Sequence, residues 1–433
     1  MSGGVSILEV IFHGGADEVG RSCIEAVDSR GRLLMDCGVK IGYNEEYPLI
    51  KRIPRNIVIT HTHLDHAAYL PHIFGKKRNA DIYLTKPTRD LLQLMIADYM
   101  RISRNNFGEH VLNNILTKCR PIEYGQTINC GMRFSLHNSG HILGSASVLV
   151  HSRGGNLLYT SDLNTRGSRI TEGAEQGLKA KTLIIESTYG GKGDVLPPQK
   201  EVNEKLARLI NRTVGRDGKV LIPSFAVGRA QELILMLDSY MKSGVIEPAP
   251  IYIDGMIKKA LKIFRHNVIH ARAELQRSIL VSDSDPFKSR FVSIPKRLDR
   301  SDAIEEGSII ITTSGMMKGG PVMTYMKEMA GDRKNLLLFV GYQAAGTPGR
   351  RILDGERKIR ANGSEVEVKM KVEKVGLSAH ADHIGILQYI KGIRGLEKVF
   401  IVHGEESKRR ELAESVQGRY DVILPKTGER FKS

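Results

Sequence analysis

Short runs of apolar, often β-branched residues alternate along the chain with longer amphipathic segments. The runs at residues 57–59, 157–159 and 182–185 are too short for helices and are typical of buried strands. Each run leads into polar residues, as expected where a strand reaches the edge of a sheet. Residues 87–101 predict an amphipathic helix. Its apolar side chains are Leu91, Leu92, Leu94, Met95, Ile96 and Met100.

After Pro197 and Pro198, predicted strands and helices alternate regularly. Strand patterns at residues 219–224, 251–254, 308–312 and 335–340 alternate with helix patterns at 200–214, 228–242 and 256–266. This alternation predicts a parallel α/β sheet. A period-two pattern returns at residues 366–375, so we expect an inserted domain. The expected domains are residues 1–190 and 366–433 for the two parts of the first domain, and 191–365 for the insertion.

The length and composition favour a soluble, two-domain protein. The chain has 433 residues, of which 41% are hydrophobic, and no apolar run is long enough to cross a bilayer. The first four residues begin no export signal. The scattered cysteines form no CxxC pair, so we expect reduced thiols, a cytoplasmic location and no zinc–thiolate site. They are Cys23, Cys37, Cys119 and Cys130.

The formal net charge is +16. Such an excess attracts polyanions, of which nucleic acid is the commonest, although it also serves solubility. Aromatic residues make up 6% of the chain and tryptophan is absent, so base stacking should contribute little to nucleic-acid binding.

Residues 61–66 contain three histidines and one aspartate directly after a predicted strand. Imidazole and carboxylate groups together suit a borderline divalent cation such as zinc. His61 and His63 are two residues apart and would point the same way at an extended strand end. Asp65 and His66 lie just beyond, where they could face a second cation.

Other candidate ligands follow other predicted strands. Asp162 and Glu186 end buried runs, and His403 follows the run at 397–402. His137 and His141 compete for one further position, and His141 lies in a glycine-flanked loop. Asp36 ends a hairpin and could accept a hydrogen bond that orients a ligand, or it could simply cap a turn.

The HTHLDH motif of residues 61–66 resembles the HxHxDH signature of metallo-β-lactamase-fold hydrolases. The inserted domain, Glu186 in ESTYG, His380 in GLSAHAD and His403 in VHGE resemble the additional features of β-CASP nucleases. The segments PSFAVGRAQE, TSGMM and GYQAAGT at residues 223–232, 313–317 and 341–347 resemble the RNA-cleaving branch. The similarity is to the nuclease subunit of the cleavage and polyadenylation specificity factor and its short archaeal homologues. We expect no N-terminal KH region, because predicted strands begin at Val5.

The resemblance implies an α/β fold: a metallo-β-lactamase αββα sandwich with an inserted parallel α/β β-CASP domain. It also implies two Zn²⁺ ions per chain. One would be held by His61, His63 and His141, the other by Asp65, His66 and His403, with Asp162 between them. The implied catalytic residues are Asp65, Glu186 and His380. His380 would be a general acid or a phosphate contact, and Glu186 would keep it protonated.

The predicted function is zinc-dependent hydrolysis of single-stranded RNA, mainly endonucleolytic, with some 5′-to-3′ exonuclease activity. Alternatives are a ribonuclease J-like 5′-to-3′ exoribonuclease, a non-catalytic RNA-binding scaffold subunit, and a small-molecule hydrolase such as a thioesterase. The expected RNA contacts are Ser224, Arg229, Ser314, Arg350 and Ser378. The apolar residues 420–425 predict a strand that could close the chain's own sheet or pair across a dimer. Proteins of the resembled family often dimerise, so we expect a homodimer. We also expect protein partners in RNA decay or transcription termination, and we expect no association with a membrane.

Overall fold

The computed structural model contains two compact units, Met1–Val195 with His380–Ser433, and Leu196–Ala379. The residues it describes are 8–41, 44–76, 79–282, 284–296, 300–305 and 307–433. The second unit interrupts the first, but it ends at Ala379, whereas we expected the first domain to resume at residue 366. The reason is long-range pairing: Lys371–Lys374 runs parallel to Leu336–Phe339 in the sheet of the second unit.

The strands are β1 Glu9–Gly14, β2 Cys23–Asp28, β3 Gly31–Met35, β4 Lys40–Ile41, β5 Glu45–Glu46, β6 Asn56–Val58, β7 Asp81–Leu84, β8 Cys119–Pro121, β9 Thr127–Cys130, β10 Met132–Asn138, β11 Ala146–His151, β12 Leu157–Tyr159, β13 Thr182–Glu186, β14 Val220–Pro223, β15 Ile251–Asp254, β16 Val292–Ser293, β17 Ile309–Thr312, β18 Leu336–Phe339, β19 Lys358–Ala361, β20 Ser364–Glu367, β21 Lys371–Lys374, β22 Lys398–Val402, β23 Asp421–Ile423 and β24 Arg430–Lys432. The expected start of the first strand, Val5, lies outside the described residues.

The helices are α1 Leu64–Ala67, α2 Leu70–Phe74, α3 Lys86–Ile102, α4 Glu109–Lys118, α5 Gln199–Val214, α6 Arg229–Lys242, α7 Ile257–His266, α8 Ala273–Leu280, α9 Pro321–Met329, α10 Pro348–Leu353, α11 His383–Gly392 and α12 Glu406–Val416. The amphipathic helix predicted at residues 87–101 is confirmed as α3. It begins at Lys86 because Thr85 accepts a hydrogen bond from Thr88 N and Pro87 occupies the first turn.

The first unit is a sandwich of four layers. Its two sheets have the orders β24-β1-β2-β3-β6-β7-β8 and β23-β22-β13-β12-β11-β10-β9. Phe12, Phe134 and Phe400 are fully buried in the core that both sheets share. Helices α2 to α4 cover the outer face of the first sheet, and α11 and α12 cover that of the second. This is the predicted αββα arrangement.

The second unit contains a six-stranded sheet of order β16-β15-β17-β14-β18-β21, and all its pairings are parallel. Strand β14 continues into Ser224 and α6, and β17 into Ser314 and α9. The described histidine and carboxylate groups that could hold a metal all lie in the first unit. No described helix is both long and apolar enough to cross a membrane.

Candidate metal centre

The centre is built where parallel strands end. In the first sheet β3 is followed by Asp36, and β6 ends at Val58 before the segment that carries His61. In the second sheet β12, β13 and β22 are parallel neighbours, so their carboxyl ends meet at one edge. They deliver Asp162, Glu186 and His403. In a parallel sheet the carboxyl ends of neighbouring strands lie side by side, so the polar residues that end or follow these strands lie close together.

One local expectation differs from the structure. We expected His61 and His63 to share an extended strand end, but β6 stops before them and they lie in a loop. Asp65 and His66 then lie on α1, a helix of a single turn. The turn brings His66 back towards the strand edge, because its backbone N donates to His63 O at 3.0 Å.

The structure brings all seven side chains predicted as ligands together in two groups. The first group is His61, His63, His141 and Asp162, and the second is Asp65, His66 and His403. Within each group, one ligand atom from every residue lies within 4.8 Å of the others.

Asp162 lies between the two groups and turns one oxygen to each. Its Oδ2 is 3.5 Å from His61 Nε2 and 3.5 Å from His141 Nε2. Its Oδ1 is 3.2 Å from His66 Nε2 and 3.4 Å from His403 Nδ1. A carboxylate in this position can contribute one oxygen to each of two cations.

The buried atoms at the centre fit a bound cation. His61 Nε2, His66 Nε2, His403 Nε2 and Asp162 Oδ1 have no hydrogen-bond partner among the described residues. Unsatisfied polar atoms at these depths cost free energy, so four at one point indicate that something else satisfies them. Imidazole nitrogens with carboxylate oxygens are the donor set of a borderline divalent metal.

The electrostatics of the two groups differ. Burial, and next to it the charge of His66, hold the pKa of His61 well below its ordinary value, so its imidazole is neutral and offers a lone pair. Burial would also lower the pKa of His66, but the carboxylates of Asp162 and Asp36 raise it well above the ordinary value. A cation at His66 therefore competes with a proton.

Asp36 lies behind the predicted ligands and is fully buried. Its Oδ2 accepts hydrogen bonds from His66 Nδ1 at 2.8 Å and from Tyr159 OH at 3.0 Å. Its Oδ1 accepts from Thr60 N at 2.8 Å. The bond to Nδ1 fixes the tautomer of His66 so that Nε2 faces Asp162.

Thr60 and Ser161 are two residues that the sequence reasoning did not single out. The hydroxyl oxygens of Thr60 and Ser161 lie 3.2 and 3.5 Å from His61 Nδ1, and 2.6 Å from each other. They therefore support His61 from behind. Both directly precede a predicted ligand, His61 or Asp162, and this adjacency was the available signal.

Three residues of the centre adopt a left-handed backbone. Asp36, Ser161 and His403 have φ values of 61°, 54° and 50°. Such conformations are unfavourable for side chains with a Cβ and are retained where the surrounding structure requires them, often at functional sites.

Glu186 and His380 form a pair beside the ligand groups. His380 Nδ1 lies 2.8 Å from Glu186 Oε1, and the His380 ring centroid is 4.6 Å from that of His141. Glu186 Oε1 also accepts from Leu163 N at 2.7 Å, and Oε2 from Thr188 N at 3.2 Å. Burial alone would lower the pKa of His380, but the charge and hydrogen bond of Glu186 outweigh burial and raise it to about 9.

His137, the competitor of His141, belongs to another cluster. Its Nε2 lies 2.9 Å from Ser135 Oγ, and its Nδ1 lies 3.0 Å from Glu175 Oε2. Glu175 also bonds the last residue of β10, because its backbone N donates to Asn138 O at 2.9 Å. His137 thus ties β10 to the segment of Glu175 and belongs to neither of the two groups.

The expected RNA contacts all lie in the second unit. Ser224 is 1% exposed and its hydroxyl bonds to Phe225 O, and Arg229 is 9% exposed at the start of α6. Ser314 is half-buried and donates to Gly319 O, and Ser378 is also half-buried. Arg350 is exposed on α10, with Nε 2.9 Å from both oxygens of Asp354. The burial of Ser224 does not favour a direct contact.

A sandwich of this kind, with histidines and aspartates at its strand ends, defines a metal-dependent hydrolase of the metallo-β-lactamase fold. Two family models match the chain, the Beta-Casp domain at residues 230–352 and the Zn-dependent metallo-hydrolase RNA specificity domain at 365–425. The chain belongs to the β-CASP family of metal-dependent ribonucleases. The predicted family, fold and class of enzyme are thereby confirmed.

Individual relatives agree with this assignment. "Transcription termination factor FttA" of Methanocaldococcus jannaschii is 38% identical over 95% of this chain and 69% of its own length. An "RNase J-like protein" of the same organism is 34% identical over 94% of both chains. A crystal structure titled as a protein of unknown function from Enterococcus faecalis V583 shares the fold, with TM-score 0.60, 13% identity, and coverage of 99% of this chain and 100% of that one.

Proposed function

We propose that this protein is a zinc-dependent ribonuclease that cleaves single-stranded RNA mainly at internal phosphodiester bonds, in RNA processing or decay. The observation that carries the proposal is the position of His380. Its Nδ1 is held 2.8 Å from Glu186, and its ring lies against His141 of the first ligand group. A protonated imidazole beside a metal centre can supply the proton that a leaving 3′ oxygen requires.

Two zinc ions per chain form part of the proposal. His61, His63 and His141 would hold one ion, and Asp65, His66 and His403 the other, with one oxygen of Asp162 for each. When bound, the cations would polarise the phosphate and lower the pKa of water. Elemental analysis of the purified protein should find two zinc ions per chain. One ion per chain, or full activity with magnesium alone, would contradict this part.

Glu186 keeps the general acid in place. Two backbone N–H groups and His380 donate to its carboxylate, which is therefore fixed in position. His380 then presents Nε2 to the leaving oxygen. A His380→Ala variant should retain its zinc and lose at least about 100-fold in cleavage rate. Unchanged cleavage with full zinc content would remove the general-acid role.

The mode of cleavage is tested with circular RNA. An endonuclease opens a circle, whereas an exonuclease that needs a 5′ end does not. Circular and 5′-labelled linear RNA of one sequence should be compared. Intact circles together with mononucleotides from the linear 5′ end would overturn the endonuclease proposal.

A second candidate is 5′-to-3′ exonuclease activity as the main reaction. The RNase J-like relative favours it, because that match extends over 94% of both chains. If this candidate is correct, linear RNA with a 5′-monophosphate should be degraded much faster than the same RNA with a 5′-triphosphate.

A homodimer is also proposed. Strands β23 and β24 each lie at the edge of one sheet of the first unit, and within the described residues no further strand pairs with their outer sides. Light scattering at the working concentration should give twice the chain mass.

The relatives named transcription termination factors support partners in termination or RNA decay. A cytoplasmic location stays a prediction from the cysteines.

A further inference from the structure

A cavity of about 530 Å³ lies in the first unit on the edge of the sheet opposite the metal centre. Its lining includes Arg32 at the start of β3, Asn56 at the start of β6, and Asn79 just before β7. These three strands are parallel, and the carboxyl ends of β3 and β6 lead to Asp36 and His61. The cavity lies at the amino ends of these strands and is therefore separate from the metal centre, which lies at their carboxyl ends.

The cavity is positive because Arg52 and Arg55 contribute to its lining beside Arg32. Neither Arg52 nor Arg55 forms an ion pair within the described part of the chain, and both are exposed. The neighbouring carboxylate of Asp81 is paired with Arg120 at 3.2 Å. Within the described residues, two guanidinium groups thus face solvent without a paired carboxylate.

Arg32 is held rigidly at the wall of the cavity. Its Nε and Nη2 donate to the two oxygens of Glu25 at 2.6 and 2.8 Å. Glu25 is fully buried and is also bonded to His13 at 2.9 Å. The charge of Arg32 is therefore largely balanced by Glu25, so the side chains available to a ligand are Arg52 and Arg55.

The lining also offers amides. Asn56 Nδ2 donates to Cys130 O at 3.0 Å, which fixes the amide of Asn56 at the start of β6. Asn79 adds a second amide. Guanidinium groups pair with phosphate oxygens through two parallel hydrogen bonds, and amides can bond to sugar or base edges. The volume is in the range of small-ligand sites.

We propose that this cavity binds the phosphate of a nucleotide at a second site, remote from the metal centre. The ligand is either a nucleotide of the RNA chain outside the cleavage site or a free mononucleotide. The RNA nucleotide and the free mononucleotide would both be recognised through a phosphate that pairs with the guanidinium groups. The inference does not depend on the mode of cleavage.

The test is the double variant Arg52→Gln/Arg55→Gln. The matched control is Lys391→Gln/Arg419→Gln, which removes the same charge from exposed side chains elsewhere in the first unit. Binding of a long phosphorothioate RNA is measured by fluorescence anisotropy over a salt series, and binding of guanosine monophosphate by calorimetry. Thermal unfolding verifies that both variants fold.

We expect the Arg52/Arg55 variant to lose about tenfold in affinity for one of the two probes, whereas the control loses little. Loss for the long RNA, with a salt slope flatter by about 1.4 for two phosphates, identifies an RNA-chain site. Loss for guanosine monophosphate alone identifies a free-nucleotide site. Cleavage of a trinucleotide should stay at the wild-type rate. Equal affinities of the two variants for both probes would overturn the proposal.

Discussion

The Oε1 atom of Glu186 lies 2.8 Å from Nδ1 of His380, although 194 residues separate the two in sequence. Strand β13 brings the carboxylate to the sheet edge, and the segment before α11 brings the histidine. The pair lies in a buried environment in which a lone imidazole would lose its proton. The contact between Glu186 and His380 therefore determines whether His380 is protonated, and the pH dependence of activity can test this.

Replacing Glu186 with glutamine should move the pH profile of kcat. Protonated His380 is the active form, so activity falls as pH rises through its pKa, which Glu186 raises to about 9. Without the charge of Glu186, burial is opposed by the charges of Asp162 and Asp65 but no longer by that of Glu186, so the pKa of His380 falls. The descending limb should therefore shift to lower pH. Profiles are measured at equal zinc content, and an unshifted limb would contradict the role of Glu186.

Asp36→Asn should weaken metal binding about 10- to 100-fold, because an amide orients His66 less strongly than a carboxylate does. Asparagine tolerates the left-handed backbone of residue 36, so the fold should survive. Tyr159→Phe is the matched control, since it removes another hydrogen bond to the same carboxylate without touching His66. Chelator competition measures the affinities. Equal losses in both variants would show a general effect of the buried network.

The competition between His137 and His141 can be decided by counting metal. His141→Ala should lose about one of two ions per chain, because His141 lies in the first ligand group. His137→Ala should keep both, since its nitrogens bond to Ser135 and Glu175 instead. Elemental analysis of the two purified variants gives the answer. A lost ion in the His137 variant alone would reverse the assignment.

Arg350 offers a test of RNA binding by the second unit. If it contacts a phosphate, Arg350→Ala should weaken binding of different sequences about equally and flatten the salt slope by about 0.7 at most. Asp354→Asn is the complementary change. It removes the carboxylate whose oxygens lie 2.9 Å from Arg350 Nε, so the guanidinium of Arg350 becomes available and the affinity for RNA should rise. Zinc content should be unchanged in both. Wild-type salt slopes in both variants would exclude Arg350 from the RNA path.

Local patterns in the sequence were enough for the longer buried strands, for helices such as α3, and for those candidate residues that end a buried run. Burial of a strand requires apolar residues, and a functional side chain at a sheet edge follows such a run, as Asp162 and Glu186 do. The helix at Lys86–Ile102 is likewise encoded by its own periodicity and by Thr85 at its start. These features depend on residues close in sequence, so they can be read without the fold.

The tertiary structure decided what depends on distant segments. The sequence favoured His141 over His137, but the pairing of β10 with β11 and the contact with Glu175 show what His137 does instead. The end of the second unit depends on β21 pairing with β18, which a period-two pattern cannot specify. Asp162 approaches both His61 and His66 although it follows a strand of the other sheet. Arg32 and Asn56 meet at the cavity because of the register of β3 with β6, in which Leu33 pairs with Asn56. Register is set by side-chain packing across the sheets, and no single stretch of the sequence contains it.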